Sequence, residues 1–269
     1  LIGGVSSPTS TPSAYVEDYS VKLDKYGSIQ WKTKYTDHFS DDGFIDGFET
    51  SDQNFLIYSR RGLEPGSLPS LVEVSKSGII NQITEMDIDF YTKSIFNLNS
   101  GQVLLFGLYS GNTAIQVVNT SGTIISVTEF DSPAKPTDMI RLGSGNFVYI
   151  GGLYTGDGTN LKQITPSGNV VWGKSYKGYK LAPTSDNGFM AHTEISKYES
   201  KLIKFNTNGE EQWTLNYDGI HPNSYYDNVY FAAEINSGNI LYTYGSYYQF
   251  SYYHRFSRRI KYVPFLIHN

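Results

Sequence analysis

The chain has 269 residues and a formal net charge of −5, with 21 basic against 26 acidic side chains, a balance that disfavours a phosphate backbone as main partner, so no nucleic acid is expected. It has no cysteine, which removes disulfides, thiolate metal sites and cysteine nucleophiles together. Aromatic residues are 15% of the chain and 26 glycines interrupt short apolar runs, the composition of an all-β domain rich in strands and tight turns.

Leu1-Ile2-Gly3-Gly4-Val5 reads as the end of a strand and lacks the basic start and apolar core of a signal peptide, so a targeting segment or other upstream residues are expected before Leu1. No stretch approaches the roughly 18 consecutive apolar residues of a membrane-crossing helix. The first full hairpin follows at Lys22-Leu23-Asp24-Lys25-Tyr26-Gly27, and the same element recurs around Gly78, Gly122, Gly168 and Gly209, at spacings of 51, 44, 46 and 41 residues. Four residues after the glycine stands Trp31, Trp172 or Trp213, and four further on Tyr35, Tyr176 or Tyr217. The other two copies carry Gln82 and Ser126, then Met86 and Phe130. Even spacing puts both positions on one face of a strand. Trp31, Trp172 and Trp213 are therefore expected at equivalent, largely buried positions, with Gly27, Gly168 and Gly209 as turn anchors.

A second signature follows in each unit: Ser51-Asp52-Gln53-Asn54-Phe55, Asn99-Ser100-Gly101-Gln102-Val103, Gly143-Ser144-Gly145-Asn146-Phe147, Ser185-Asp186-Asn187-Gly188-Phe189 and Asn236-Ser237-Gly238-Asn239-Ile240. These read as two-residue hairpin turns, because Asn, Asp and Gly accept positive φ. Each runs into a strand such as Phe55-Leu56-Ile57-Tyr58 whose consecutive apolar residues require burial on both faces. Two hairpins per unit make four strands in about 45 residues, the size of a propeller blade.

These repeats resemble the blades of PQQ-like (quinoprotein-type) β-propellers, and most closely the Lys-Leu-Asp-x-x-Gly-x-x-x-Trp repeats of secreted and cell-surface proteins of Bacteroidetes-type bacteria. The resemblance covers about residues 19 to 247 and implies a single propeller domain of four-stranded antiparallel blades outside the cytoplasm. The units run over 19–66, 67–111, 112–158, 159–199 and 200–247. Termini 1–7 and 248–269 are expected to close the ring. Leu1 to Val5 aligns with the buried strand Tyr149 to Leu153, and Tyr248 to Tyr253 and Arg259 to Ile267 read as two strands that complete its blade. Six blades, one shared between the termini, is the leading count; five, or part of a larger ring, are the alternatives.

Catalytic chemistry is hard to place. His38, His192, His221, His254 and His268 are scattered and read as isolated loop or surface residues. Gly107-Leu108-Tyr109-Ser110-Gly111 has its serine one place too late for a nucleophile elbow. Asp37, Asp41, Asp42 and Asp46, and separately Asp157, lie in acidic stretches without the spacing of a known calcium loop, and no metal is expected. PQQ-like propellers include dehydrogenases, but the vicinal cysteines often found beside that quinone are absent and the chain is about half the length of an eight-bladed enzyme, so no cofactor is expected.

The C-terminal region offers the candidate partner surface: Tyr225, Tyr226, Tyr247, Tyr248, Tyr252 and Tyr253 with Arg255, Arg258 and Arg259. Tyrosine combines a flat apolar face with a hydroxyl and suits protein interfaces and sugar rings alike. The leading expectation is a non-catalytic protein-interaction or structural propeller, an extracytoplasmic accessory subunit of a cell-surface or secretion assembly. A carbohydrate-binding module is the alternative, and a glycosidase or lyase with two converging acidic loops the third reading.

Overall fold

A computed structural model of the chain describes residues 2–6, 17–34, 44–59, 68–88, 90–98, 101–130, 135–151, 160–176, 178–196, 199–218, 226–236, 239–250 and 253–264. Among them there is no helix, and so none long and apolar enough to cross a membrane. The strands follow one another in six antiparallel sheets. β1 (Ile2–Ser6), β2 (Glu17–Leu23) and β3 (Ile29–Lys34) make the first. β4 (Phe44–Glu49), β5 (Phe55–Ser59), β6 (Ser70–Val74) and β7 (Ile80–Glu85) make the second. The third holds β8 (Tyr91–Asn97), β9 (Gln102–Tyr109), β10 (Asn112–Asn119) and β11 (Ile124–Glu129). β12 (Pro136–Arg141), β13 (Phe147–Gly151), β14 (Leu161–Ile164) and β15 (Val170–Lys174) make the fourth, and β16 (Gly178–Pro183), β17 (Phe189–Ser196), β18 (Glu199–Phe205) and β19 (Glu211–Asp218) the fifth. The last is β20 (Tyr226–Asn236), β21 (Asn239–Phe250) and β22 (Tyr253–Pro264). The sheets fall into two compact units, Leu1–Glu129 and Phe130–Asn269.

The hairpins at 50–54, 142–146 and 184–188 are three-residue loops, not the two-residue turns expected, whereas Asn236 pairs directly with Asn239, which leaves the two-residue turn expected there. In the β4–β5 hairpin Gln53 N–H donates to the Thr50 carbonyl at 3.0 Å and Thr50 N–H to the Asn54 carbonyl at 2.8 Å. This is a type I turn closed by one left-handed residue, and only that residue needs positive φ. Gln53 (φ 67°) and Asn187 (φ 64°) hold the place that glycine holds elsewhere. The loops at Gly27, Gly78, Gly122, Gly168 and Gly209 follow the same plan. The extra residue shifts the register just beyond each of them, as between Glu73 and Val74, so the residue four after the glycine pairs across the bulge: Lys22 with Trp31, Glu73 with Gln82, Val117 with Ser126, Gln163 with Trp172, Lys204 with Trp213.

The second strand of each four-stranded sheet is the apolar run that the sequence marks out, and Phe55 to Ser59 and Phe147 to Gly151 are buried throughout. On β5 the alternate positions serve two cores. Leu56 and Tyr58 pack with Leu71, Met86, Phe90, Ile95, Val103 and Leu105, whereas Phe55 and Ile57 pack with Val72, Val74 and Trp31. Such a strand is sandwiched between neighbouring sheets. In the second unit Phe189 and Phe205 stack at 5.0 Å within a core that includes Val148, Ile150, Leu161 and Ala191.

The observed sheets are out of phase with the repeat units of the sequence. A unit such as 67–111 spans β6 and β7 of one sheet and β8 and β9 of the next. At the C-terminus, residues 248–253 are not a separate strand: β21 continues to Phe250 and returns as β22 from Tyr253, with Phe250 opposite Tyr253. Pro264 ends β22 on the outer edge of its sheet, where a missing N–H is tolerated. β1 pairs with β2 as β13 pairs with β14, in accord with the alignment of Leu1 to Val5, but its sheet is completed by β2 and β3, and the C-terminal strands β21 and β22 pair with each other in a sheet of their own instead of completing that blade.

Candidate functional site

The tryptophan slot is a lock between neighbouring sheets. Trp31 on β3 and Trp172 on β15, both on the last strand of their sheets, lie against the turn glycine of the following sheet. A Cβ on Gly78 would stand 2.8 Å from Trp31, and one on Gly209 would stand 2.9 Å from Trp172. In both places the indole N–H donates to the carbonyl two residues before that glycine, Lys76 at 3.0 Å and Thr207 at 3.4 Å. The indole also meets a phenylalanine of that following sheet, Phe55 in an edge arrangement with Trp31 and Phe189 stacked on Trp172. Trp31, Trp172 and Trp213 occupy equivalent register positions, each intermediate between buried and exposed. Four residues on, Met86 and Phe130 are buried, and Tyr176 donates its hydroxyl to the Glu211 carboxylate, with burial and that carboxylate pushing it up to about 12.

A second lock joins the innermost strands. Asp46 on β4 accepts the N–H of Ile95 on β8 at 3.0 Å, and Asp138 on β12 accepts that of Leu181 on β16 at 2.9 Å. Asp46, weighed above as an acidic-loop metal candidate, therefore belongs to a strand and caps its neighbour. Among the described residues no three His, Cys, Asp or Glu side chains are placed to hold a metal ion. Asp37, His38, Asp41, Asp42 and Asp157 lie outside the described residues.

His192, expected on a loop or surface, sits on β17 with 1% exposure, because that strand is covered on both faces. Neither ring nitrogen has a hydrogen-bond partner, and burial lowers its pKa to about 4. It is a neutral core residue. Ser110 follows the end of β9 in a tight turn at φ 48°, as the turn reading requires.

The C-terminal candidates lie on the last sheet, except Tyr225 and Tyr252, which are outside the described residues. Tyr226 pairs with Tyr247, Tyr248 with Arg255, Gly245 with Arg258 and Tyr244 with Arg259. By this register Tyr248, Tyr253, Arg255 and Arg259 share one set of alternating positions, and Tyr226, Tyr247 and Arg258 the other.

Among the described residues a cavity lies in the first unit, between the second and third sheets at their hairpin ends, with a volume of about 520 Å³. Phe48, Leu56 and Val103 form its apolar side. Its polar side is the turn Thr50-Ser51-Asp52 with Glu73, Asn97, Gln102 and Thr120. None of the lining residues is basic. Thr50 donates its hydroxyl to Asp52 Oδ1 at 2.5 Å, and Asn54 Nδ2 bridges Asp52 Oδ2 at 3.0 Å and Glu73 Oε1 at 2.9 Å. The Thr50 hydroxyl, with backbone N–H groups of the turn, holds the Asp52 carboxyl below its ordinary 3.8. That direction suits a permanent anion and opposes a general acid, which needs a raised value. Sequence reasoning took Ser51-Asp52-Gln53 only as a turn and passed over Glu73. The available signal was the triplet Thr-Ser-Asp, present at both 50–52 and 184–186.

No family model and no curated protein sequence matches the chain. Solved structures do. A selenomethionine-substituted virginiamycin B lyase from Staphylococcus aureus aligns with a TM-score of 0.57 at 14% identity, over 99% of this chain and 85% of that one. The PQQ-bound aldose sugar dehydrogenase of Streptomyces coelicolor aligns at 0.50 and 10% identity, over 90% and 85% of the two chains. YCF48 bound to a D1 peptide aligns at 0.54 and 13% identity, over 86% and 74%. At such identities the likeness carries the fold alone, and with the sheets above it defines an all-β propeller of four-stranded antiparallel blades.

Proposed function

We propose that this chain is a non-catalytic, protein-binding propeller that serves outside the cytoplasm as an accessory subunit of a larger cell-surface or secretion assembly. The observation that carries the reading is the cavity of the first unit: an open, acidic recess at the hairpin ends, with apolar walls, no basic lining residue and a turn carboxylate whose pKa lies on the wrong side for proton donation. Acidic carboxylates beside an apolar wall suit a basic, partly apolar segment of another polypeptide. The peptide-bound state of YCF48, a protein of similar fold, supports a protein partner. The resemblance of the repeats to secreted and cell-surface propellers supports the compartment.

Affinity capture from the native cell envelope, washed at high salt and read by mass spectrometry, tests the proposal. A stoichiometric protein partner is the expected result. A chain recovered alone, together with binding to a glycan array, would replace this reading with the carbohydrate-binding one.

A further inference from the structure

The repeat supplies its own reference for the cavity. In the second unit the turn Thr184-Ser185-Asp186 repeats Thr50-Ser51-Asp52 group for group. Asn187 N–H donates to the Thr184 carbonyl at 3.1 Å, as Gln53 N–H does to Thr50, and Asn187 and Gln53 share the left-handed φ. Thr184 donates its hydroxyl to Asp186 Oδ1 at 2.7 Å, as Thr50 does to Asp52 Oδ1. There the turn holds a cation. Lys204 Nζ lies 2.6 Å from Asp186 Oδ1, 2.5 Å from Thr184 Oγ1 and 3.4 Å from the Phe205 carbonyl, with the lysine 8% exposed. Burial raises the Asp186 carboxyl, but the ammonium, the Thr184 hydroxyl and the Gly188 N–H more than offset this and hold it at about 2.

In the first unit the position of Lys204 belongs to Glu73. Met190 pairs with Lys204 and Leu56 with Glu73, each one residue past the phenylalanine that opens its strand. The same oxygen cradle is thus built without its lysine, next to a second carboxylate. Asn54, which replaces Gly188, reaches one oxygen of each but brings no charge. Among the described residues no cation pairs with Asp52 or Glu73. The cavity is also larger than an ammonium requires, and Phe48, Leu56 and Val103 offer a wall along which a four-carbon stem can lie.

We propose that this cavity receives the ammonium of a lysine side chain from a partner polypeptide, held by Thr50, Asp52 and Glu73 as Thr184 and Asp186 hold Lys204. The assignment rests on the protein-binding reading and names the partner's chemistry. The probe is blocked lysine, N-acetyl-lysine methylamide, titrated into the amide-labelled full chain and followed by NMR. Controls are its Nζ-acetylated form and magnesium chloride.

The expected result is saturable shifts of the Thr50 to Asn54, Glu73 and Gln102 amides with blocked lysine only. They should be weakened at least about tenfold by Glu73→Lys, which supplies an internal ammonium, and likewise by Glu73→Gln should the first variant fail to fold. Two results overturn the proposal: no shift at these amides, or an equal shift with magnesium. If captured partner still binds Glu73→Lys undiminished, the cavity assignment falls and the protein-binding reading stands. If blocked lysine is inert and no partner is captured, both fall.

Discussion

His192 should make the stability of this protein depend on pH in a window where few other groups titrate. Its ring is buried on β17, has no hydrogen-bond partner, and titrates near 4 instead of 6.5. A base whose folded value is depressed contributes stability that is complete above the unfolded value and is lost as pH falls through the folded one, so the window runs from 6.5 down to about 4. At about 1.4 kcal/mol per pH unit the whole loss is about 3 kcal/mol, with about 2 kcal/mol of it between pH 7 and pH 5. The substitution to compare is His192→Phe. Phe106 stands at the same register position of β9, opposite Ser94 as His192 stands opposite Lys180, and is fully buried. Urea unfolding of both proteins at pH 7 and pH 5 should show the wild type losing about 2 kcal/mol more than the variant, which should equal or exceed it at pH 7, where an unpaired buried imidazole costs about 1 to 3 kcal/mol. Parallel pH slopes for the two would refute a neutral, desolvated His192.

The tryptophan lock predicts that two glycines with the same backbone strain differ in tolerance. Gly27→Ala (φ 85°, open space) should cost about 1 kcal/mol, and Gly78→Ala (φ 86°, against Trp31) at least about 2 kcal/mol with a shifted tryptophan emission; equal unfolding midpoints would dismiss the lock. Asp138→Ala strips the Leu181 N–H of its acceptor and should lower stability by about 1 to 3 kcal/mol in denaturant titration, whereas an unchanged midpoint would mean that the contact between β12 and β16 holds without it. On the outer strand β11, Ile124 (45% exposed) and Ile125 (50% exposed) leave an uncharged edge from Ile124 to Thr128, so Ile125→Lys should raise the concentration at which the chain self-associates in light scattering; no change would show that this edge is not used.

The period of the fold was legible because turn chemistry and strand burial each leave a strict local mark: a residue tolerant of positive φ, then apolar residues on consecutive positions. The phase was not. A cyclic pattern reads the same from any starting strand, and only pairing shows that the glycine hairpin ends one sheet while the next apolar strand belongs to another. For the same reason the sequence links Gly27 with Trp31, whereas the glycine that meets Trp31 is Gly78 of the following sheet. His192 was misplaced because residue type outweighed context: Phe189, Met190 and Ala191 before it already marked the buried strand.

The candidate site illustrates how a repeat fold acquires individuality. Each repeat is held to one backbone plan by its turns and by burial on both faces, so differences accumulate where a side chain can vary without breaking either. The position opposite the tryptophan slot is such a place, occupied in turn by Lys22, Glu73, Val117, Gln163 and Lys204, each followed by an apolar residue that closes the bulge. In the third and fourth sheets the neighbouring turn has no aspartate, and the residue there, Val117 or Gln163, is uncharged. Where the turn carries Asp186, a lysine satisfies it from within. Where it carries Asp52, a second carboxylate stands instead, an arrangement that stability alone would not select. It follows that Glu73→Lys should raise the thermal midpoint slightly while it removes binding, because it restores the internal pair and fills the recess. A lowered midpoint in a folded Glu73→Lys protein would mean that the two turns are not interchangeable, and the argument from Lys204 to a partner's lysine would lose its geometric basis.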